Sequence, residues 1–217
     1  MNARIKIVGL GLTVAGFLFM AVGGYTYVQT KAGGASLAAY SAAENVKLTY
    51  NSDGQLADKT GSTEEATHIM SLLVNDWKYP VVTAELDPND PVVNTGSEYM
   101  YQMATVTYHT LNSKVTVTLA KDVTAADGAV TTAGDYAFAN DGKYWATFGK
   151  DPVAAAARGV VWSPTAHALI ANLGVGAVTA SALQMGLGIA AIAGAMGLVL
   201  LLLGLGLVWS SRATRPA

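Results

Sequence analysis

His68, His109 and His167 are the only imidazoles in the chain. A non-haem iron site needs two imidazoles and one carboxylate converging with coordination positions left open. Of the three, His68 has an acid at helical spacing: Glu64 lies one turn earlier, which puts two ligand types on one helix face. His109 falls in a stretch that reads as a strand and His167 on a separate helix. No spacing brings either to His68, so all three are read as surface or capping histidines. Asp87, Asn89 and Glu98 occupy the first, third and twelfth places of a calcium-loop register. Pro91 and Val92 stand where that loop needs its fifth ligand and its glycine, so the motif fails. Pro88 and Pro91 are read instead as shaping a tight surface turn.

Other chemistries are excluded by what is missing. The chain has no cysteine, which removes disulfides, thiolate metal sites and cysteine nucleophiles. No glycine loop sits beside a strand and a lysine, and no serine lies in a GxSxG context. The bases of the middle segment are scattered singly among more numerous acids, which argues against nucleic acid as a partner. The sequence therefore assigns no catalytic residue, no metal ligand, no cofactor-binding residue and no cofactor.

The elements around these residues divide the chain clearly. Residues 7–28 carry no charge, and twenty-two residues at 1.5 Å each reach roughly 33 Å, against about 30 Å of bilayer hydrocarbon. Residues 183–209 are also free of Asp, Glu, Lys, Arg and His. Arg4 and Lys6 precede the first run, and Arg212 and Arg215 follow the second. All fifteen acids lie between the runs, against nine bases, leaving the middle at about −6. Basic tails mark the cytoplasmic side. The expected layout is a cytoplasmic tail over 1–6, a transmembrane helix over 7–28 and an extracytoplasmic domain over 29–182. A second transmembrane helix over 183–209 and a cytoplasmic tail over 210–217 complete it. Localisation at the plasma membrane follows, with the bilayer as one partner. The competing reading makes the first run a signal peptide, cleaved near Gly34-Ala35-Ser36 or Ser36-Leu37-Ala38.

Small residues recur along both runs. Gly9, Gly16 and Gly23 are seven apart, as are Ala190, Gly197 and Gly204, while Gly186, Ala190 and Gly194 are four apart. Such spacing lines one helix face with positions where another backbone can approach. The partner is either the other span or a helix of another protein. With no ionisable group inside either run, the chain alone offers no proton relay or ion pathway.

The middle reads as a small α+β domain with an antiparallel sheet of about four strands, so the fold class is two transmembrane helices flanking an α+β unit. A flexible lead and a short helix over 33–45 come first. Expected strands are 46–50, 80–86, 101–111, 114–120, 136–139 and 143–148, with Val115, Val117 and Leu119 alternating against Thr116 and Thr118. Ser62 and Glu65 have capping-box spacing for a helix ending near Asp76. Ser163-Pro164 starts another helix (164–182) that leads into the second span, with Gly174 and Gly176 as kink points.

A basic start, glycine-rich first and last spans, and the stretch TAELDPNDPVVNTGSEYMYQMA (residues 83–104) together resemble a group of small two-pass actinobacterial membrane proteins. They are largely uncharacterised, and some are labelled aromatic ring-opening dioxygenase. That label implies iron or pocket ligands, for which this chain has no matching motif, so no site residue carries over. The expected role is an accessory or structural subunit of a larger membrane assembly, such as a respiratory complex. Tyr99, Tyr101, Tyr108 and Trp162 serve it either as partner anchors or as core. The alternatives are an extracytoplasmic module binding a ligand, lipid or envelope polymer and, behind it, an envelope enzyme.

Overall fold

The computed structural model describes residues 2–125 and 127–213. Arg215, which contributes to the charge argument, lies outside them with Met1 and the rest of 214–217. The chain forms two compact units, Met1–Tyr40 with Thr179–Ala217, and Ser41–Val178.

Helix α1 (Asn2–Glu44) and the last helix, Pro164–Ala213, supply the first unit. Each is long and apolar enough to cross a membrane, and only 17% of its most apolar window is buried. A core helix of a soluble protein would have that face covered. The stretch 33–45, expected as a flexible lead and a short separate helix, instead continues α1 to Glu44. Its Ala and Leu content favours helix, and the helix stops where Asn45 turns to φ 49°.

The second unit starts with strands β1 (Thr49–Tyr50) and β2 (Leu56–Ala57), paired antiparallel. The turn between them is held by Asn51, whose Oδ1 accepts from the Asp53 and Gln55 N–H groups. Helix α2 (Thr63–Ser71) follows, and its end widens into a π turn over Leu72–Asp76. Helix α3 (Gly96–Leu111) packs against it, burying Ile69, Leu73, Tyr101 and Ala104. Strand β3 (Lys114–Leu119) pairs with β6 (Gly134–Ala139), while β4 (Val123–Thr124) and β5 (Val130–Thr131) form a small ribbon between them. Val117 and Leu119 are buried and the threonines exposed, as the alternation predicts. They pack on Ala157 of helix α4 (Pro152–Val161), with Phe138, Phe148 and Val153 around them. Helix α5 (Pro164–Ala213) begins behind Ser163, whose Oγ accepts from the Ala166 N–H, and runs through Gly174 and Gly176 without a break.

Several strand expectations are corrected. Residues 101–111 are the body of α3, because Thr95 and Glu98 form a full capping box that starts a helix there. Residues 80–86 contain a 3₁₀ turn, Thr83–Glu85, and residues 143–148 contain another, Trp145–Thr147. Residues 46–50 keep two strand residues and one bridge, Lys47 to Val92. Among the described residues the result is three two-stranded pieces in place of one four-stranded sheet. Helix α4 was not anticipated, although Asp151 caps it and Pro152 opens its first turn.

Candidate functional site

Within the first unit, small residues of one helix face small residues of the other, in antiparallel order. A Cβ built on Gly9 would lie 2.8 Å from the Gly204 carbonyl oxygen, and one on Gly16 2.8 Å from that of Gly197. One on Gly23 would lie 2.8 Å from Gly194 N and 3.0 Å from the Ala190 oxygen. Gly186 faces Thr30 in the same way, its Cβ position 2.6 Å from Thr30 Oγ1. Gly194 differs, since its own Cβ position has no atom within 4 Å. Beside this seam, Leu18, Val22, Ile189, Ile192 and Met196 line an apolar groove of about 400 Å³.

The second unit contains a polar cluster that no sequence spacing suggested. Ligand-type atoms of Asp58, Glu65 and His109, one from each, all lie within 4.8 Å of one another. Local hydrogen bonding explains why Glu65 takes part. Asp58 follows β2, and its Oδ1 accepts from Thr60 N (2.8 Å), Thr60 Oγ1 (2.6 Å) and Ser62 N (2.9 Å). Ser62 caps α2 through its side chain, which accepts from Glu65 N. A capping box would send the Glu65 carboxyl back to the Ser62 N–H, but Asp58 already occupies that donor. Glu65 is thereby released toward Asp58 and His109. His109 reaches the cluster from the last turn of α3.

The cluster is electrostatically divided. The Thr60 hydroxyl, then the Ser62 N–H and Glu65, hold the Asp58 carboxyl well below the ordinary carboxylate range. Glu65 is pushed up, first by the Asp58 carboxyl beside it and then by burial, while His109 pulls it down. Asp58 is 2% exposed, and its second oxygen, Oδ2, is buried without a closed hydrogen bond. His109 Nε2 is also buried and unpartnered. Burial is the main cause raising the Tyr101 phenol, with the charges of Tyr50 and Asp58 adding to it. A carboxylate oxygen, a carboxyl group and an imidazole nitrogen at this spacing can share a proton or hold one cation.

The other histidines take no part. His68 stacks on Tyr108 with ring centroids 6.2 Å apart, and Glu64, its expected companion, is exposed. His167 packs edge-on to Trp145 and against Trp162. Glu98 is the buried cap of α3, accepting from Asn94 N, Thr95 N and Thr95 Oγ1. Tyr99, Tyr101 and Trp162 are buried core. An apolar cleft of about 400 Å³ lies between Trp77, Met100, Met103, Tyr144, Trp162 and Ile170.

Spacing could not have revealed the cluster, because fifty-one positions separate Asp58 from His109. The usable signal was Thr95-Gly96-Ser97-Glu98, a second capping box that turns the His109 segment from strand into helix. No protein-family model, curated protein sequence or solved structure matches the chain.

Proposed function

We propose that the chain is a two-pass accessory subunit of a larger membrane assembly, anchoring a small folded unit at the outer face of the plasma membrane. In this reading both termini are cytoplasmic and residues 29–182 extracytoplasmic, as the basic tails and acidic middle favour. The observation that carries it is the pair of long apolar helices, each with an uncharged run of membrane-spanning length. Their glycines face each other, while bulky apolar side chains such as Phe17, Leu18, Ile189 and Ile192 stay exposed. A helix pair closed on itself by its small residues leaves its outward faces for lipid and for a neighbouring helix. The groove beside Leu18, Val22 and Ile192 is the seat for such a helix. The apolar lining commits the partner to a transmembrane segment without charge at that depth.

Purification in mild detergent from the native membrane tests this. The expected result is one stoichiometric membrane-protein partner, lost when Val22→Trp fills the groove. Val22 is exposed, so that variant leaves the helix seam alone. A lone monomer, or a partner indifferent to Val22→Trp, contradicts the proposal.

A second reading, a module binding an apolar ligand, is favoured by the cleft between Trp77, Met103 and Trp162. Titration with 1-anilinonaphthalene-8-sulfonate tests it. Saturable binding abolished by Met103→Trp supports a site, and binding unaffected by that change removes it.

A further inference from the structure

We infer that Asp58, Glu65 and His109 form a binding site for one divalent transition-metal ion. The case rests on four observations in one place. Donors of three kinds of side chain converge within 4.8 Å. Asp58 has one oxygen fully engaged by Thr60 and Ser62, which fixes the carboxylate and directs the other oxygen away from those donors. That other oxygen is buried and unpartnered in a side chain 2% exposed, and the Nε2 of His109, on a half-buried side chain, is itself buried and unpartnered. Tyr101, also 2% exposed, adds a buried hydroxyl without a partner within electrostatic reach of Asp58.

Buried polar atoms in folded proteins nearly always have partners. Two ligand-type atoms without them, on side chains that already meet, mark a place where a cation supplies what the protein does not. The donor set selects the metal class. An imidazole nitrogen with two carboxylates suits zinc and its first-row neighbours, whereas calcium and magnesium take oxygen cages. Three protein ligands leave a further position for water. The ion would tie the loop after β2 and the adjoining start of α2 to the end of α3, His109 lying forty-four positions beyond Glu65. Binding to the folded state alone stabilises it in proportion to the logarithm of ion concentration over the dissociation constant.

The test uses the full chain in detergent, stripped with EDTA and titrated with Zn²⁺. The expected result is one equivalent bound per chain and a melting temperature that rises with free Zn²⁺. Glu65→Gln and His109→Gln each weaken binding at least tenfold, whereas His68→Gln and His167→Gln leave it unchanged. Co²⁺ gives a readout that needs no variant: bound through nitrogen and few oxygens it shows intensified visible absorption, which Zn²⁺ then displaces. The inference fails if less than a tenth of an equivalent binds. It fails equally if His109→Gln binds as tightly as the parent, if Ca²⁺ competes equally with Zn²⁺, or if Co²⁺ keeps its aqueous spectrum.

Discussion

Gly16 and Gly197 meet backbone to backbone: a Cβ on either would come within 2.8 Å of the other's carbonyl oxygen. Each Cβ would also meet backbone atoms of the facing helix, which cannot yield as a side chain can, so Gly16→Ala or Gly197→Ala must push the helices apart. Forced overpacking of this kind costs about 1–3 kcal/mol. Gly11 and Gly24 have nothing within 4 Å of a Cβ, and alanine there should be neutral or stabilising. Unfolding of the four variants in mixed micelles separates the two classes. Equal behaviour across all four would contradict the close seam.

Tyr99 lies flat against Gly176, so close that any Cβ at 176 would enter its ring. The Tyr99 hydroxyl also makes a 2.7 Å hydrogen bond with Ser41 Oγ. Gly176→Ala should therefore destabilise the protein strongly and Tyr99→Phe by only about 1 kcal/mol. Combined with Tyr99→Leu, Gly176→Ala should cost less than it does alone, and a double-mutant cycle in chemical denaturation measures that coupling.

Thr95 and Glu98 start α3 and so place His109. Thr95→Ala removes a cap and should cost about 1 kcal/mol. Glu98→Ala should cost more, because it leaves the N–H groups of Asn94 and Thr95 without the acceptor they share. Glu98→Gln keeps an acceptor oxygen and should be the mildest change. Denaturant midpoints give the order, and a Glu98→Ala protein as stable as Glu98→Gln would show the carboxylate to be dispensable.

The hydroxyls of Tyr50 and Tyr101 are buried without partners. Replacing either tyrosine with phenylalanine should leave stability unchanged or raise it, since an unsatisfied hydroxyl is removed at constant shape. Burial, then the charges of Glu98 and Asp87, push the Tyr50 phenol up to about 12. A folded value above the unfolded one means that its contribution is intact below pH 10 and is lost as pH rises towards 12. Tyr50→Phe should flatten the stability profile over that window. A profile unchanged by the substitution would show that Tyr50 does not titrate there.

The parts of this fold legible in the sequence are those set by local chemistry. Ser62 and Ser163 announce helix starts, and Val115, Val117 and Leu119 announce a half-buried strand. The two long apolar helices are equally plain. Residues 101–111 misled because Val106, Thr105, Thr107 and Thr110 are β-branched, a composition that favours strands. Tertiary burial of Tyr101, Ala104 and Leu111 along one helix face prevailed over it. The Asp58–Glu65–His109 cluster was illegible because it depends on α2 docking against α3. Reading it also required seeing that Asp58 takes the Ser62 N–H that Glu65 would otherwise bind.

Two membrane crossings with the acidic middle outside are the claim on which the proposed role depends. The chain has no cysteine, so single cysteines can be placed on a clean background at exposed sites: Lys114→Cys and Lys121→Cys in the middle, Ala3→Cys and Ser210→Cys near the ends. A membrane-impermeant maleimide added to intact cells should label positions 114 and 121 at once, and positions 3 and 210 only after permeabilisation. Protection of 114 and 121 in intact cells, or labelling of 3 or 210 there, would contradict the account.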